Sequence, residues 1–313
     1  MIHSRNFSSR PVWRLGLLAA LFLSQLLGAV CVRAQDDDVL RIDSDLVVLN
    51  VTVTDNGGKY VPGLQLKDFR VFEDGKEVLP TLVTSFSVHE APFASVVLLD
   101  TSGSMESRLT LARSAAIRFL DGLREEDVAA VYKFDYKVEP VQDFSTGRDL
   151  APMAFGIRAR GMTTLNDAVV EAARALAERP ELRKAIVILS DGMDTYSKAS
   201  SGKALDSALA IGATIYAVDM SAIDGGRSRN PQTAMVLRNF AEKTGGRFVA
   251  TPGGPGLREA FSEIADELGH QYTITFRPLN RNKDGKWRTL QVQLSRSELV
   301  GRSRKGYRAE KAK

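Results

Sequence analysis

The chain has 313 residues, 44% of them hydrophobic, and a formal net charge of +4 at pH 7. This length and composition are those of a globular protein with one large domain or two smaller ones. The excess positive charge comes from the first 34 residues, which contain Arg5, Arg10, Arg14 and Arg33 and no acidic residue. Without these four arginines the formal charge is about zero, so we do not expect a basic face that binds nucleic acid.

The first 34 residues have the pattern of a secretory signal. Arginines precede the apolar run 15–30, and Val32-Arg33-Ala34 supplies a small-residue cleavage site. We expect cleavage after Ala34, so that the mature chain begins at Gln35, is secreted or periplasmic and has no stable membrane span. The alternative is a retained anchor, but the run is shorter than the roughly 20 residues that a membrane helix needs.

The single cysteine of the sequence, Cys31, lies inside this leader. The mature chain would therefore contain no disulfide. A lipid attached to Cys31 is the alternative outcome. Bacterial lipoprotein signals usually have a leucine three residues before the cysteine, whereas this chain has Gly28 at that position. We therefore favour simple cleavage over a lipoprotein.

Residues 39–90 carry the signals of a small N-terminal β module. Apolar side chains recur at every second position from Val47 to Val53, which is the period of a half-buried strand. Residues 69–78 predict a tight hairpin, because Asp74-Gly75 supplies the positive φ angles of a two-residue turn.

Residues 91–270 predict an α/β domain. Strand and helix patterns alternate from Phe93 onward, which favours right-handed βαβ units and a doubly wound, mainly parallel sheet. Apolar stripes at helical spacing predict helices near 109–123 and 168–176, and a last helix is expected at 257–268. The expected strands are 94–99, 128–134, 185–189, 214–218 and 247–250, with a short one near 138–143.

Residues 271–309 return to strand patterns. Two alternating segments, 272–276 and 289–294, are separated by the polar loop 280–286. We expect them to pair with the N-terminal strands, so that a β-sandwich-like module contains the α/β domain as an insertion. The alternative, an independent C-terminal hairpin, would be marginally stable. The late basic residues, among them Arg302 and Arg304, are interpreted as a solvated tail.

Three separated segments predict one metal site. Asp100-Thr101-Ser102-Gly103-Ser104 and Asp191-Gly192 follow apolar runs, and Thr163 precedes a helical pattern. In an open α/β sheet, ligands bind beyond the carboxyl ends of the strands. Two carboxylates and three hydroxyls form an all-oxygen set that suits a hard divalent cation, Mg²⁺ first, with Mn²⁺ or Ca²⁺ as alternatives.

Each of these segments also has a simpler interpretation. Asp, Ser and Gly are preferred in turns and at helix N-caps, so Asp100 to Ser104 alone is also typical of a turn before a helix. Asp191-Gly192 alone is a common turn signal. The conjunction of three such loops in this order and context favours the metal site.

The order Asp-x-Ser-x-Ser, Thr and Asp-Gly resembles the metal-ion-dependent adhesion site (MIDAS) of the von Willebrand factor type A (VWA) family, whose fold is Rossmann-like. The resemblance implies that the ion is held, directly or through water, by Asp100, Ser102, Ser104, Thr163 and Asp191. Thr163 is preferred to Thr164 because residues 161–168 match Gly-x-Thr-x-Leu-x-Asp-Ala. Asp194 is a candidate for an outer hydrogen-bond acceptor that does not contact the ion.

The resemblance also implies a function. One coordination position of the ion would take an acidic residue of a partner protein, which makes the chain an adhesion-type binding module and not an enzyme. Residues 67–76, shortly before the α/β domain, further resemble the N-terminal region of the secreted VWFA-related proteins common in Acidobacteria.

Three other functions remain open at this point. Metal-dependent hydrolysis lacks a general base near the loops, since the histidines are His3, His89 and His270. The sequence also lacks a Gly-x-Ser-x-Gly, His-Glu-x-x-His or phosphate-cradling Gly-Lys-Ser/Thr motif. VWA domains of the metal-chelatase group work beside cytoplasmic ATPases, which the secretory leader disfavours. A purely structural ion is the third alternative.

Overall fold

The computed structural model describes residues 46–88, 91–148, 150, 157–159, 161–221, 231–250 and 255–311, all within one compact unit. The predicted signal at 1–34, with Cys31 and the cleavage site after Ala34, lies outside the described residues, as does His89. In the part of the chain that is described, no helix is both long and apolar enough to cross a bilayer.

Fourteen β-strands and five α-helices are present in the described residues. The strands are β1 Val47–Thr54, β2 Phe69–Glu73, β3 Lys76–Glu77, β4 Val83–Ser87, β5 Phe93–Asp100, β6 Val128–Phe134, β7 Val138–Ser145, β8 Arg183–Ser190, β9 Thr214–Asp219, β10 Phe248–Ala250, β11 Tyr272–Phe276, β12 Trp287–Leu294, β13 Val300–Ser303 and β14 Gly306–Arg308. The helices are α1 Leu109–Asp121, α2 Leu165–Ala177, α3 Ser201–Ala210, α4 Pro231–Thr244 and α5 Pro255–Gly269.

A six-stranded sheet with the order β10-β9-β8-β5-β6-β7 forms the α/β part. Its strand pairs are parallel except for β6 with β7. Strands β5 and β9 are buried along their whole length, because helices cover both faces of the sheet. Helices α1 and α5 pack on the face that carries Val97 and Leu99, and helices α2, α3 and α4 pack on the face that carries Val96 and Leu98. The doubly wound, mainly parallel fold predicted from the sequence is confirmed.

Two four-stranded antiparallel sheets, β13-β1-β11-β4 and β14-β12-β2-β3, form the smaller part of the fold. Strand β1 lies between β11 and β13, and β2 pairs with β12. The two sheets share one apolar core, which contains Leu49 and Tyr272 from the first sheet and Val71 and Leu290 from the second. The smaller β-sandwich-like module of the predicted fold class is therefore present, built from N- and C-terminal strands.

The hairpin predicted at residues 69–78 is confirmed. Glu73 pairs with Lys76, so Asp74 and Gly75 are the two turn residues. Their φ angles are 48° and 77°, both positive, as a type I′ turn requires.

The interpretation of Arg302 and Arg304 as part of a solvated tail is wrong. Residues 300–303 form β13, which pairs with β1. The buried Arg304 guanidinium donates to the carbonyl oxygens of Leu209 at 3.0 Å and Val48 at 2.6 Å. Arg302 donates to the buried carboxylate of Glu267. These acceptors belong to segments distant in sequence, so the local charge pattern gave no sign of them.

Candidate metal centre

The first and third predicted loops start side by side at the carboxyl edge of the parallel sheet. Strand β5 ends at Asp100 and strand β8 ends at Ser190, and the two strands are direct neighbours. The Ser190 hydroxyl donates to Asp100 Oδ2 at 2.6 Å. The parallel register therefore brings the Asp100 and Asp191 segments to one place, as the sequence predicted.

The side-chain oxygens of the first loop form a row from the protein interior to the surface. The Asp100 side chain is fully buried, and its Oδ1 accepts a hydrogen bond from the Ser102 backbone N–H at 2.9 Å. The hydroxyl oxygens of Ser102 and Ser104 are 3.1 Å apart. Ser102 is buried whereas Ser104 is exposed, so this row of oxygens leads from the sheet to solvent.

The second loop joins the other two. The backbone N–H of Gly103 donates to the carbonyl oxygen of Gly161 at 3.3 Å. The Thr163 carbonyl accepts from the N–H groups of Thr195 and Tyr196, both at 3.0 Å, and the Thr163 N–H donates to the Thr195 hydroxyl at 3.0 Å. The buried Thr163 is thereby fixed between the first and third loops.

The neighbouring Thr164 has a different role in the backbone. It is the residue before the first turn of α2, and its carbonyl accepts the helical hydrogen bond from Ala168 at 2.9 Å. Its hydroxyl is buried without a hydrogen-bond partner among the described residues. The sequence-based preference for Thr163 stays a prediction.

The third loop places Asp191 near Arg108. Asp191 is buried, and its Oδ1 accepts from the Met193 N–H at 3.2 Å. Arg108 Nη1 lies 3.8 Å from Asp191 Oδ2 and donates to the Ser104 carbonyl at 3.3 Å. This buried guanidinium therefore links the first loop to the third.

Asp194 uses both carboxylate oxygens on backbone groups. Its Oδ2 accepts from the Asn166 N–H at 2.8 Å, and its Oδ1 accepts from the Ser197 N–H at 3.1 Å. Asn166 lies in the first turn of α2, so Asp194 ties the third loop to that helix.

The electrostatics of the site suit a bound cation. Burial raises the pKa of Asp100 to about 6, hydrogen bonds from Ser102 and Ser190 oppose this rise, and the nearby Asp191 carboxylate adds to it. A divalent cation beside both carboxylates would offset their repulsion and the desolvation of Asp100. The donors are all oxygens, which fits Mg²⁺, Mn²⁺ or Ca²⁺.

The predicted metal site needs hydroxyl oxygens in addition to carboxylates. Within the described residues, no group of three or more His, Cys, Asp or Glu side chains is placed to hold a metal ion. That Ser102, Ser104 and Thr163 complete the ligand set with the two aspartates stays a prediction.

Two residues of the centre received no role in the sequence analysis. Ser190 donates to Asp100 and accepts from the Gly192 N–H at 3.0 Å. A hydroxyl at the end of an apolar strand, directly before Asp191, was a usable signal for it. Arg108 had no comparable signal, because its partners lie on two different loops.

Residues 95–193 match the family model of the von Willebrand factor type A domain. This range contains all five predicted ligands. A comparison with proteins of curated function found no match. Residues 95–193 therefore form a VWA domain, a module commonly used for protein interaction.

Several solved structures are similar to the chain. The PilB minor pilin from Streptococcus sanguinis is 16% identical with a TM-score of 0.46, and the match covers 57% of this chain and 61% of the pilin. A von Willebrand factor type A protein from Catenulispora acidiphila is 14% identical with a TM-score of 0.48, over 80% of this chain and 76% of that one. The pilus adhesin SpaC from Lactobacillus rhamnosus GG is 11% identical with a TM-score of 0.47, over 82% and 49%.

Proposed function

We propose that the chain is a secreted or periplasmic protein-binding module of the adhesion type. A divalent cation, Mg²⁺ first, would be held by Asp100, Ser102, Ser104, Thr163 and Asp191, and would capture an acidic residue of a partner protein. The observation that carries the proposal is the row of oxygens from the buried Asp100 to the exposed Ser104. A ligand approaching from solvent would meet the cation at the exposed end of this row.

The charged and the neutral residues of the site would have different roles in binding the cation. Asp100 and Asp191 supply negative charge for the cation, and the Ser190 hydroxyl fixes the Asp100 carboxylate. The serine and threonine hydroxyls supply oxygens without adding charge. The cation would therefore keep enough positive charge to attract a partner's carboxylate, which must be deprotonated to bind.

The position of His270 supports a non-enzymatic role. It is the only histidine among the described residues, and it follows the end of α5. Arg183, the first residue of β8, donates to the Leu268 carbonyl near the same end of α5. His270 therefore lies toward the amino edge of the sheet, whereas the predicted ligands lie at the carboxyl edge.

The test compares the wild-type mature chain with Asp100→Asn and a control, Asp121→Asn. Asparagine keeps an oxygen that accepts from Ser102 but loses the charge, while Asp121 is half-exposed at the end of α1. Calorimetry with MgCl₂ measures ion binding. Affinity capture from the cell envelope and culture medium of the source organism, with Mg²⁺ or EDTA, measures partner binding.

We expect wild type and Asp121→Asn to bind Mg²⁺ and to retain a partner that EDTA releases, and Asp100→Asn to do neither. Mg²⁺ binding together with a partner that is retained equally in EDTA would indicate a purely structural ion. Hydrolytic activity that disappears in Asp100→Asn would instead support the metal-dependent hydrolase. The absence of Mg²⁺, Mn²⁺ and Ca²⁺ binding by wild type would refute the metal site.

A further inference from the structure

Four large apolar side chains are exposed around the candidate metal centre, three on its second and third loops and one, Tyr136, in the neighbouring turn between β6 and β7. They are Tyr136, Met162, Met193 and Tyr196, with exposed fractions of 51%, 52%, 41% and 55%. We call this set the apolar rim. Isolated exposed apolar residues are normal on protein surfaces, but a group around one site marks an interaction surface.

Each member of the rim is connected to the site by a specific contact or by the chain itself. A Cβ on Gly161 would lie 3.7 Å from Tyr136 Cδ1, so the Tyr136 ring borders the second loop. Met162 directly precedes Thr163. The Tyr196 N–H donates to the Thr163 carbonyl at 3.0 Å, and the Met193 N–H donates to Asp191 Oδ1 at 3.2 Å.

The charges in the turn beside the rim balance one another. Lys133 Nζ and Lys137 Nζ both lie 2.5 Å from carboxylate oxygens of the same residue, Glu139. Asp135 lies in the same turn, and its Oδ1 accepts from the Lys137 N–H at 3.2 Å. These two lysines and two carboxylates therefore carry no net charge. Lys137 Nζ lies 5.6 Å from the centre of the Tyr136 ring. The apolar side chains, and not a net charge, therefore distinguish this surface.

The types of residue in the rim indicate what it would bury. Tyrosine provides a large, rigid apolar area with one polar end, and methionine adapts its flexible side chain to different shapes. Both are enriched in protein–protein interfaces. Such residues can bury an apolar or aromatic side chain of a partner, but they provide no specific site for a second charge.

We infer that the partner presents its acidic residue next to a large apolar or aromatic side chain, which the apolar rim buries. This inference rests on the proposed function, because the partner's carboxylate is what places its neighbours on the rim. Metal binding of the carboxylate then gives the dependence on the ion, and the rim gives selectivity among acidic segments.

Two synthetic peptides test the inference. One has an Asp flanked by Phe and Leu, the other an Asp flanked by Gly and Ser, and each has an Asn counterpart. Their Kd values are measured for the mature chain in Mg²⁺ and in EDTA. The variant is Tyr136→Ser with Tyr196→Ser. The control is Leu182→Ser, which removes a side chain that is 52% exposed just before β8, at the other edge of the sheet.

We expect both Asp peptides to bind wild type only with Mg²⁺, and the apolar-flanked peptide to bind about tenfold more tightly. The double variant should lose this preference, and Leu182→Ser should keep it. Mg²⁺-dependent binding of both Asp peptides with equal Kd values would overturn the inference and leave the proposed function standing. No Mg²⁺-dependent binding of either Asp peptide would overturn both. The wild-type comparison alone decides between these outcomes, even if the double variant does not fold.

Discussion

Gly192 occupies a turn of the candidate site that no other residue can adopt without strain. Its φ angle is +78°, and a Cβ there would lie 2.6 Å from the Thr233 carbonyl oxygen of α4. Gly192→Ala should therefore lower the free energy of unfolding by about 3 kcal/mol, from the left-handed conformation plus a backbone clash. Urea denaturation followed by circular dichroism measures the change.

Gly58→Ala is the matched control for this substitution. Gly58 has nearly the same φ angle, +81°, but nothing lies within 4 Å of the position that its Cβ would take. Gly58→Ala should lower the free energy of unfolding by about 1 kcal/mol, because it has the strain of the left-handed conformation but no backbone clash. If Gly192→Ala and Gly58→Ala lower the free energy of unfolding equally, the close contact with α4 does not destabilise the Gly192→Ala variant.

Substitution of Ser104 tests whether partner binding requires a neutral hydroxyl, and not a carboxylate, beside the cation. The Ser104 hydroxyl is 3.1 Å from that of Ser102, and the residue is exposed. Ser104→Asp should keep or strengthen Mg²⁺ binding, because it adds a carboxylate, yet weaken partner binding at least about tenfold by neutralising the cation. Calorimetry with MgCl₂ and the Kd of an Asp-containing peptide measure the two effects.

The neutral isostere Ser104→Asn separates charge from shape in this prediction. It should lower peptide affinity less than Ser104→Asp does, since it leaves the charge of the cation unopposed. Unchanged peptide affinity in Ser104→Asp would contradict the proposed capture mechanism.

The first turn of helix α2 positions the third loop. The Asp167 carboxylate accepts from the backbone N–H groups of Lys198 at 3.0 Å and Ala199 at 2.8 Å. Asp167→Ala removes both hydrogen bonds without changing a predicted ligand. We expect Mg²⁺ affinity to fall about tenfold, as for other groups that orient metal ligands from outside, and the free energy of unfolding to fall by about 1–2 kcal/mol.

Glu171→Ala on the same helix is the control, because Glu171 pairs with the exposed Arg174 one turn away. It should leave Mg²⁺ affinity unchanged. If Asp167→Ala lowers stability but not Mg²⁺ affinity, the anchoring of the third loop has no influence on the ion.

The elements that could be predicted from the sequence are those with local signals. Apolar runs predicted β5 and β8, and Asp74-Gly75 predicted the hairpin between β2 and β3, because each pattern lies within a few residues. Strand β13 was missed, since its four residues, Val300–Ser303, show no alternating apolar pattern and form a strand by pairing with the distant β1. The contacts of Arg108 were missed for the same reason. The roles of the predicted ligands stay predictions.

The whole molecule is joined by a buried polar network around Glu267 in α5. This side chain is 2% exposed and accepts hydrogen bonds from Thr52 of β1 at 3.2 Å, Tyr216 of β9 at 2.9 Å and Arg302 of β13. One carboxylate therefore connects the antiparallel sheet to the central sheet and its last helix. We expect the two parts to unfold together.

Replacing Arg302 with Met tests this connection. The substitution keeps much of the apolar stem but leaves the Glu267 carboxylate buried with only neutral donors, which should cost about 2–3 kcal/mol. Adding Glu267→Gln should recover most of that loss, because glutamine still accepts from Thr52 and Tyr216 and carries no charge. Urea denaturation of the single and double variants gives the two free energies of unfolding.

A single unfolding transition in every variant supports joint unfolding of the α/β part and the antiparallel sheets. An early, separate transition of the antiparallel sheets in Arg302→Met would instead show that the ion pair between Arg302 and Glu267 holds the two parts together. No recovery in the double variant would mean that Arg302 stabilises the fold by packing and not by its charge.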